Sequence, residues 1–421
     1  MTAEIIVKNI VGCALAADSA MTMQPANSGT VKIFNSAEKI FDLSKKHPIG
    51  VMIYNSADFC GTPWDLSIRM FRKLHGKDEK AHVRDYVESF LSFISNHEGI
   101  TPANKKYGKL NHIYVDYLKN HYENLSQKTL LEDLPESDDE AMVIVHDRLK
   151  DFYSQENQAL NQNDFFVGFT DDDFMAAKHY AIDKYFYLAK DILPNNGFFP
   201  DDLANELVNF FANIICKRNV SSLYTGLVFA GYGSEEYYPA VVTLHIYGWF
   251  NGKVIYYVSD GKSSPPIPES STIIPFASEE EVFTFVKGCN SKILDFTGNT
   301  ASQLVSVINN QLLESGFQDQ ELLDKLNDLP NNLMMRVNSF SNTNFMQKVT
   351  AMLDSLSKKD LAYMAESLVN LSAFKLKISD AYETVGGPID VAVISKTDGF
   401  IWIKRKLYFD KNLNNNHANL V

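Results

Sequence analysis

The order of hydrophobic patterns along the chain predicts an α+β fold built from stacked layers with antiparallel sheets. Three observations carry that expectation. Short apolar runs bounded by turn residues occupy the first sixty positions, the stretch from about 226 to 258 and the last thirty-odd. Helix-spaced apolar residues fill the intervals between them. The order is therefore strands, helices, strands, helices, strands, with no repeated βαβ unit and no internal repeat. The 421 residues are 45% hydrophobic and 22% charged, which suffices for a large core.

The elements follow in order. Glu4-Ile5-Ile6-Val7-Lys8 and Val11-Gly12-Cys13-Ala14-Leu15-Ala16-Ala17 are apolar runs on either side of Asn9, the pattern of a hairpin. Val31-Lys32-Ile33-Phe34 and Lys39-Ile40-Phe41-Asp42-Leu43 alternate. Ile49-Gly50-Val51-Met52-Ile53-Tyr54 is nearly all apolar, as a strand buried on both faces requires. Trp64, Ile68, Phe71 and Leu74 then repeat at helix spacing, as do Val83, Tyr86, Val87, Phe90, Leu91 and Ile94.

From about 97 to 165 the chain is polar and locally acidic, yet it keeps helical stretches such as the one around Ile113 to Leu118. Residues 176–193 and 203–215 also read as helices. Strands return at 226–230, 241–246 and 253–258, the last two joined through Asn251-Gly252, a strong hairpin signal. Helices occupy much of 279–375. A hairpin of Ile389 to Ile394 and Phe400 to Lys404, turning at Asp398-Gly399, closes the pattern. The Asn-rich tail 411–421 is expected to fray.

Charge and cysteine usage restrict the function classes. A formal net charge of -13 argues against nucleic acid as a partner, because phosphate neutralisation needs clustered Lys and Arg. Lys404-Arg405-Lys406 is too short a basic tract to change that. Cys13, Cys60, Cys216 and Cys289 are scattered without a CxxC, so neither a disulfide framework nor a zinc site is indicated, and a cytoplasmic location fits. No apolar run reaches the roughly 18 residues of a membrane span, and no basic-then-apolar leader opens the chain. The ten histidines form no ligand pair on one helix face, Gly231-Tyr232-Gly233 lacks the Lys-Ser/Thr of a phosphate loop, and Asp171-Asp172-Asp173 lacks the turn glycine and closing glutamate of a calcium loop. The triplet reads as an acidic loop or helix start. No cofactor or metal is expected.

The feature that carries chemistry is Thr2. If Met1 is removed, Thr2 combines a hydroxyl nucleophile with a free amine able to act as its general base. Sixteen residues on stands Asp18, within Ala17-Asp18-Ser19.

Four segments, in order along the chain, resemble proteasome-type (HslV-like) subunits of the N-terminal-nucleophile (Ntn) hydrolase superfamily. They are Thr2 to Thr22, with its two short strands and Ala-Asp-Ser-Ala-Met-Thr; Ala37-Glu38-Lys39-Ile40-Phe41; Ala230-Gly231-Tyr232 with Tyr238-Pro239; and Asp380-Ala381-Tyr382 with Gly386-Gly387 and the closing hairpin. The resemblance spans about half the chain. It implies a four-layer αββα sandwich forming a single domain over 1–421, with helical insertions at about 97–220 and 295–375.

The resemblance also implies roles. Thr2 would be the nucleophile, Asp18 would pair with a lysine, and that lysine would lower the pKa of the α-amine. Lys39 fits if about five extra residues are placed after Ala20, and Lys32 competes if the Pro25 to Gly29 loop is placed differently. The glycine whose N–H normally faces the oxyanion is absent, leaving Tyr54 or Asn55 at that place, with Asn the more tolerant of the needed backbone conformation. Ser278 corresponds to the supporting serine before the outer helix, without the family's Gly-Ser-Gly surroundings. Asp380 matches the aspartate of Asp-Ala-Tyr, and Thr384 could replace the serine that should follow. The implied activity is a threonine peptidase or amidase acting on a peptide or protein substrate. The chain would form a homo-oligomer, and an ATPase partner is left open. The alternative is an Ntn-fold structural or binding subunit without catalysis, and a more distant one is an amidase for non-peptide substrates.

Overall fold

The computed structural model describes residues 3–23, 32–133, 135–193, 200–219, 223–378, 385–410 and 413. The chain is mixed α+β with antiparallel sheets, and divides into two compact units. One comprises Met1–Tyr54, Ala230–Val241 and Ser264–Val421; the other comprises Asn55–Phe229 and Val242–Ser263.

The first unit is organised by a five-stranded sheet in which every neighbour is antiparallel. Its order is Thr272–Ala277, Ala3–Asn9, Gly12–Ala17, Asp390–Ser395, Gly399–Lys404. The strand Ala3–Asn9 shows why both sheet faces are covered. Ala3, Ile5 and Val7 point to one side, where they pack with Ala14, Ala16, Val391 and Val393 against Leu361, Ala365, Leu368 and Val369 of the helix Lys358–Lys377. That helix begins at a reciprocal cap between Ser357 and Asp360, which satisfies first-turn N–H groups. The opposite face meets the strands Ile40–Asp42 and Ile49–Asn55. There Phe276 lies 5.2 Å, ring to ring, from Tyr54, and Gly50 sits against Phe400 and Ile394. Ile49–Asn55 pairs with Ile40–Asp42 in a separate sheet, and its run Ile49 to Tyr54 is buried.

The N-terminal hairpin, the Lys32–Phe34, Ile40–Asp42 and Ile49–Asn55 strands, and the closing hairpin all form where the periodicity indicates, within a residue or two. Thr272–Ala277 has no counterpart in the sequence reading. Pro275 interrupts its pattern, and proline is tolerated there because the strand lies at the sheet edge.

The second unit is mainly helical. Trp64–His75 and Val83–Asn96 pack through Trp64, Phe71 and Phe90, whose rings meet Phe59, Phe93 and Phe229. Gly108–Glu132, Asp138–Asn161 and Asp201–Cys216 enclose an aromatic core in which Tyr114 stacks on Tyr185 at 4.2 Å and abuts Phe211. Asp171–Tyr180 passes through a π-helical turn, Ala181–Tyr185, into Phe186–Ile192. The acidic triplet Asp171-Asp172-Asp173 is a helix start. Thr170 and Asp173 form its reciprocal cap, and Asp173 also receives Asn251 and Lys253. In the hairpin of Ala240–Phe250 and Lys253–Val258, Asn251 and Gly252 take the left-handed conformations expected of their turn. Its first strand outruns the sequence reading because a bulge between Ile246 and Gly248 lets it continue.

Candidate functional site

The first unit places a buried charge cluster at the end of the N-terminal hairpin. Asp18 directly follows the strand Gly12–Ala17 and is 1% exposed. Four donors reach its carboxylate. The N–H of Ala3, the peptide group that follows Thr2, donates to Oδ1 at 3.2 Å. The Ala20 N–H donates to Oδ2 at 3.2 Å and the Gly386 N–H donates to Oδ2 at 2.9 Å. The Lys39 ammonium forms an ion pair with Oδ1.

Each donor is delivered by a different part of the fold. Register 3-to-277 and 4-to-17 pairing sets Ala3 beside the hairpin's exit, where Asp18 N–H also donates to Ala3 O at 3.1 Å. Gly386 arrives from the segment before the closing hairpin, and its carbonyl accepts the Ser19 N–H at 3.1 Å. Ser19 Oγ donates to the Pro388 carbonyl in the same clasp. Lys39 precedes the strand Ile40–Asp42, and its carbonyl accepts the Ile53 N–H at 2.9 Å. Its side chain is thereby held under the five-stranded sheet, 6% exposed.

A third charge joins them. Glu4 Oε1 lies 3.0 Å from Lys39 Nζ, and Glu4 is fully buried. The cluster therefore has two carboxylates and one ammonium. In the sequence Glu4 falls within an apolar run. The signal available was an acid in the alternation Ala3-Glu4-Ile5, facing the side opposite to Ala3 and Ile5.

The remaining candidates are distributed as follows. Lys39, not Lys32, reaches Asp18; Lys32 is exposed on a short strand paired with Met21–Met23. Ser278 is half-buried and follows Ala277, the residue opposite Ala3 in the edge strand. Ala277 takes a left-handed φ of 60°, uncommon for a residue with a side chain. Tyr54 is buried against Phe276, whereas Asn55 is exposed with a left-handed φ of 68°, the conformation for which asparagine is among the more tolerant residues. Asn55 belongs to the second unit. Thr2, Asp380, Thr384 and the tail 411–421, apart from Leu413, lie outside the described residues.

Chemically, a carboxylate held by three N–H groups and an ammonium is a fixed electrostatic anchor. Among the described residues no group of His, Cys, Asp and Glu is arranged to hold a metal ion, and no helix is long and apolar enough to cross a membrane. All four cysteines are free thiols.

No family model matches the chain, and no curated protein does. Among solved structures, a mutant of Anbu from Hyphomicrobium sp. strain MC1 is similar over 100% of this chain and 94% of that one. The identity is 11% and the TM-score 0.26, a likeness too slight to carry an argument.

Proposed function

We propose that the chain is a proteasome-like threonine hydrolase of peptide amides, with an αββα core and an N-terminal Thr2 exposed by removal of Met1. The observation that carries this reading is the buried Asp18–Lys39 ion pair, whose aspartate also holds the peptide N–H that follows Thr2. A nucleophile that uses its own α-amine as base needs the first peptide group fixed and a cation nearby to disfavour the protonated amine. Asp18 supplies the first requirement and Lys39 the second.

In this mechanism the Thr2 hydroxyl attacks the amide carbonyl carbon and its proton passes to the α-amine. The tetrahedral oxyanion collapses, expelling the leaving amine, which takes that proton. Water, deprotonated by the same amine, then hydrolyses the ester. Peptide or protein substrates, a homo-oligomer and a reducing cytoplasmic setting belong to the same proposal.

The second reading, an Ntn-fold subunit without catalysis, is favoured by Glu4. A second buried carboxylate on Lys39 offsets the positive field on which a depressed amine pKa depends.

Intact-mass analysis and hydrolysis of fluorogenic peptides separate the two. The hydrolase reading expects a mass lacking Met1, a free N-terminal threonine, and loss of turnover of at least a thousandfold in Thr2→Ala, on the scale of other nucleophile deletions. A retained Met1, or a Thr2→Ala protein as active as the parent, would falsify it.

A further inference from the structure

The second unit contains a cleft of about 690 Å³ lined by Asp58, Lys105, Lys109, His112, Tyr224 and Asn55, among others. We propose that this cleft binds a small ligand that carries one carboxylate on an apolar body, with Lys109 as the carboxylate's partner. The proposal does not rest on the reading of Asp18 and Lys39.

Four features of the cleft point to that chemistry. The first is charge. In a chain of net charge -13, the cleft lining has two lysines against one aspartate, with His112 neutral or positive. One uncompensated positive charge matches a monoanion. Asp58 acts on Lys109 only through its charge: its Oδ2 accepts the Gly61 N–H at 2.9 Å, and among the described residues the Lys109 ammonium makes no ion pair or hydrogen bond. His112 is engaged with Asp116 at 3.1 Å on its own helix, so it flanks the head group rather than leading it.

The second feature is desolvation. Lys109 is half-buried, and loss of water lowers its ammonium to about 8, against weaker opposing pulls from Asp58 and Cys60. A cation taken out of water with no carboxylate in direct contact is costly, and an anionic ligand reduces that cost. Lys109 also stands in the first turn of the helix Gly108–Glu132, whose capping position, Tyr107, makes no side-chain bond to the first N–H groups. The helix start adds to the same field.

Size and wall chemistry supply the third. The volume lies in the range of small-molecule sites and far exceeds a bare carboxylate. Ile113, Leu223 and the Tyr224 ring provide apolar lining, and Tyr224 is held in place by stacking on His245 at 4.0 Å. The ligand therefore has an apolar portion beside its charge.

The fourth is backbone strain at the cleft's edge, at Asn55 in its lining and at Cys60 in the adjoining hairpin of Asp58–Phe59 and Thr62–Pro63. Asn55 and Cys60 both have left-handed φ, 68° and 51°, though neither is glycine. Such conformations cost free energy and persist where surrounding structure imposes them.

Calorimetric titration of the full chain at pH 8 tests the proposal with three probes: N-acetylphenylalanine, its uncharged amide, and phenyl phosphate. The acid should bind at least tenfold more tightly than the amide and more tightly than the dianionic phosphate. Its binding heat should change with the ionisation enthalpy of the buffer, because the carboxylate draws a proton onto Lys109. Lys109→Met should reduce binding of the acid to the level of the amide, and Lys109→Arg should retain it. Equal binding of acid and amide, a preference for the phosphate, no binding of the acid, or an unaffected Lys109→Met would each overturn the proposal. Should Lys109→Met fail to fold, the comparison of acid with amide on the parent chain decides alone.

Discussion

Lys39 Nζ lies 3.0 Å from Glu4 Oε1 while it also pairs with Asp18, so one buried ammonium is shared by two carboxylates. The two acids sit on the first strand and just beyond the second, and Lys39 comes from the strand pair that covers the sheet. Loss of the lysine removes the ammonium from both acids, leaving Asp18 with its three N–H donors alone.

Lys39→Met is accordingly expected to destabilise the protein by about 3–5 kcal/mol, the usual result of stripping a buried ion pair of one member. Glu4→Gln should cost about 1 kcal/mol or less, because Asp18 retains the ammonium and the amide can still accept from it. Urea denaturation of the two variants checks both values. A Lys39→Met protein within 1 kcal/mol of the parent would show that the cluster is solvated.

Glu4→Gln also separates the two functional readings. With one carboxylate removed, the positive field of Lys39 is less offset, so an adjacent amine would lose its proton more readily. On the hydrolase reading the expected outcome is an acid limb of the pH–kcat/KM profile moved to lower pH, with turnover maintained. A profile that does not move would mean that Glu4 has no electrostatic influence on the reacting amine.

Gly231 should not tolerate alanine. Its φ is 142°, and a Cβ there would lie 2.0 Å from the Pro48 carbonyl oxygen, which also accepts the Tyr232 N–H at 2.8 Å. Backbone cannot give way as a side chain can, so Gly231→Ala is expected to cost about 2–4 kcal/mol in thermal or chemical denaturation. Gly261→Ala, at a site with no atom within 4 Å of the new methyl, is the matched control and should stay within about 0.5 kcal/mol.

His245 predicts the acid behaviour of the second unit. Burial, reinforced by the positive charge of Lys262, lowers its pKa to about 4, and its Nδ1 is 2.7 Å from the Tyr257 hydroxyl. The unfolded chain protonates this histidine near 6.5. Between those values the unfolded state binds the extra proton, so stability falls as the pH drops from about 6.5 towards 4. His245→Gln should flatten that limb by up to about one proton. A pH–stability slope identical to the parent's would exclude His245 as its source.

The legible and illegible parts of this chain differ in kind. The hairpins at 3–17 and 390–404 were readable because alternation and turn residues encode them locally. Gly386-Gly387 was marked by sequence pattern, and Gly386 meets Asp18 across a separation of 368 residues. Glu4 is passed over because a single acid inside an apolar run gives no sign of its partner until both faces of the strand are known to be covered. The edge strand Thr272–Ala277 was missed because Pro275 speaks against a strand wherever its edge position is unknown.

By itself the sequence determined the α+β composition, the order of the elements and the place of Asp18 at a strand end, since each follows from periodicity over a few residues. The choice of Lys39 over Lys32, the second carboxylate on that lysine and the cationic cleft around Lys109 were decided only by tertiary structure. The physical reason is that these depend on which faces become buried together. A charge placed on a strand or helix has the same local signature whether it ends in water or in a dry cluster.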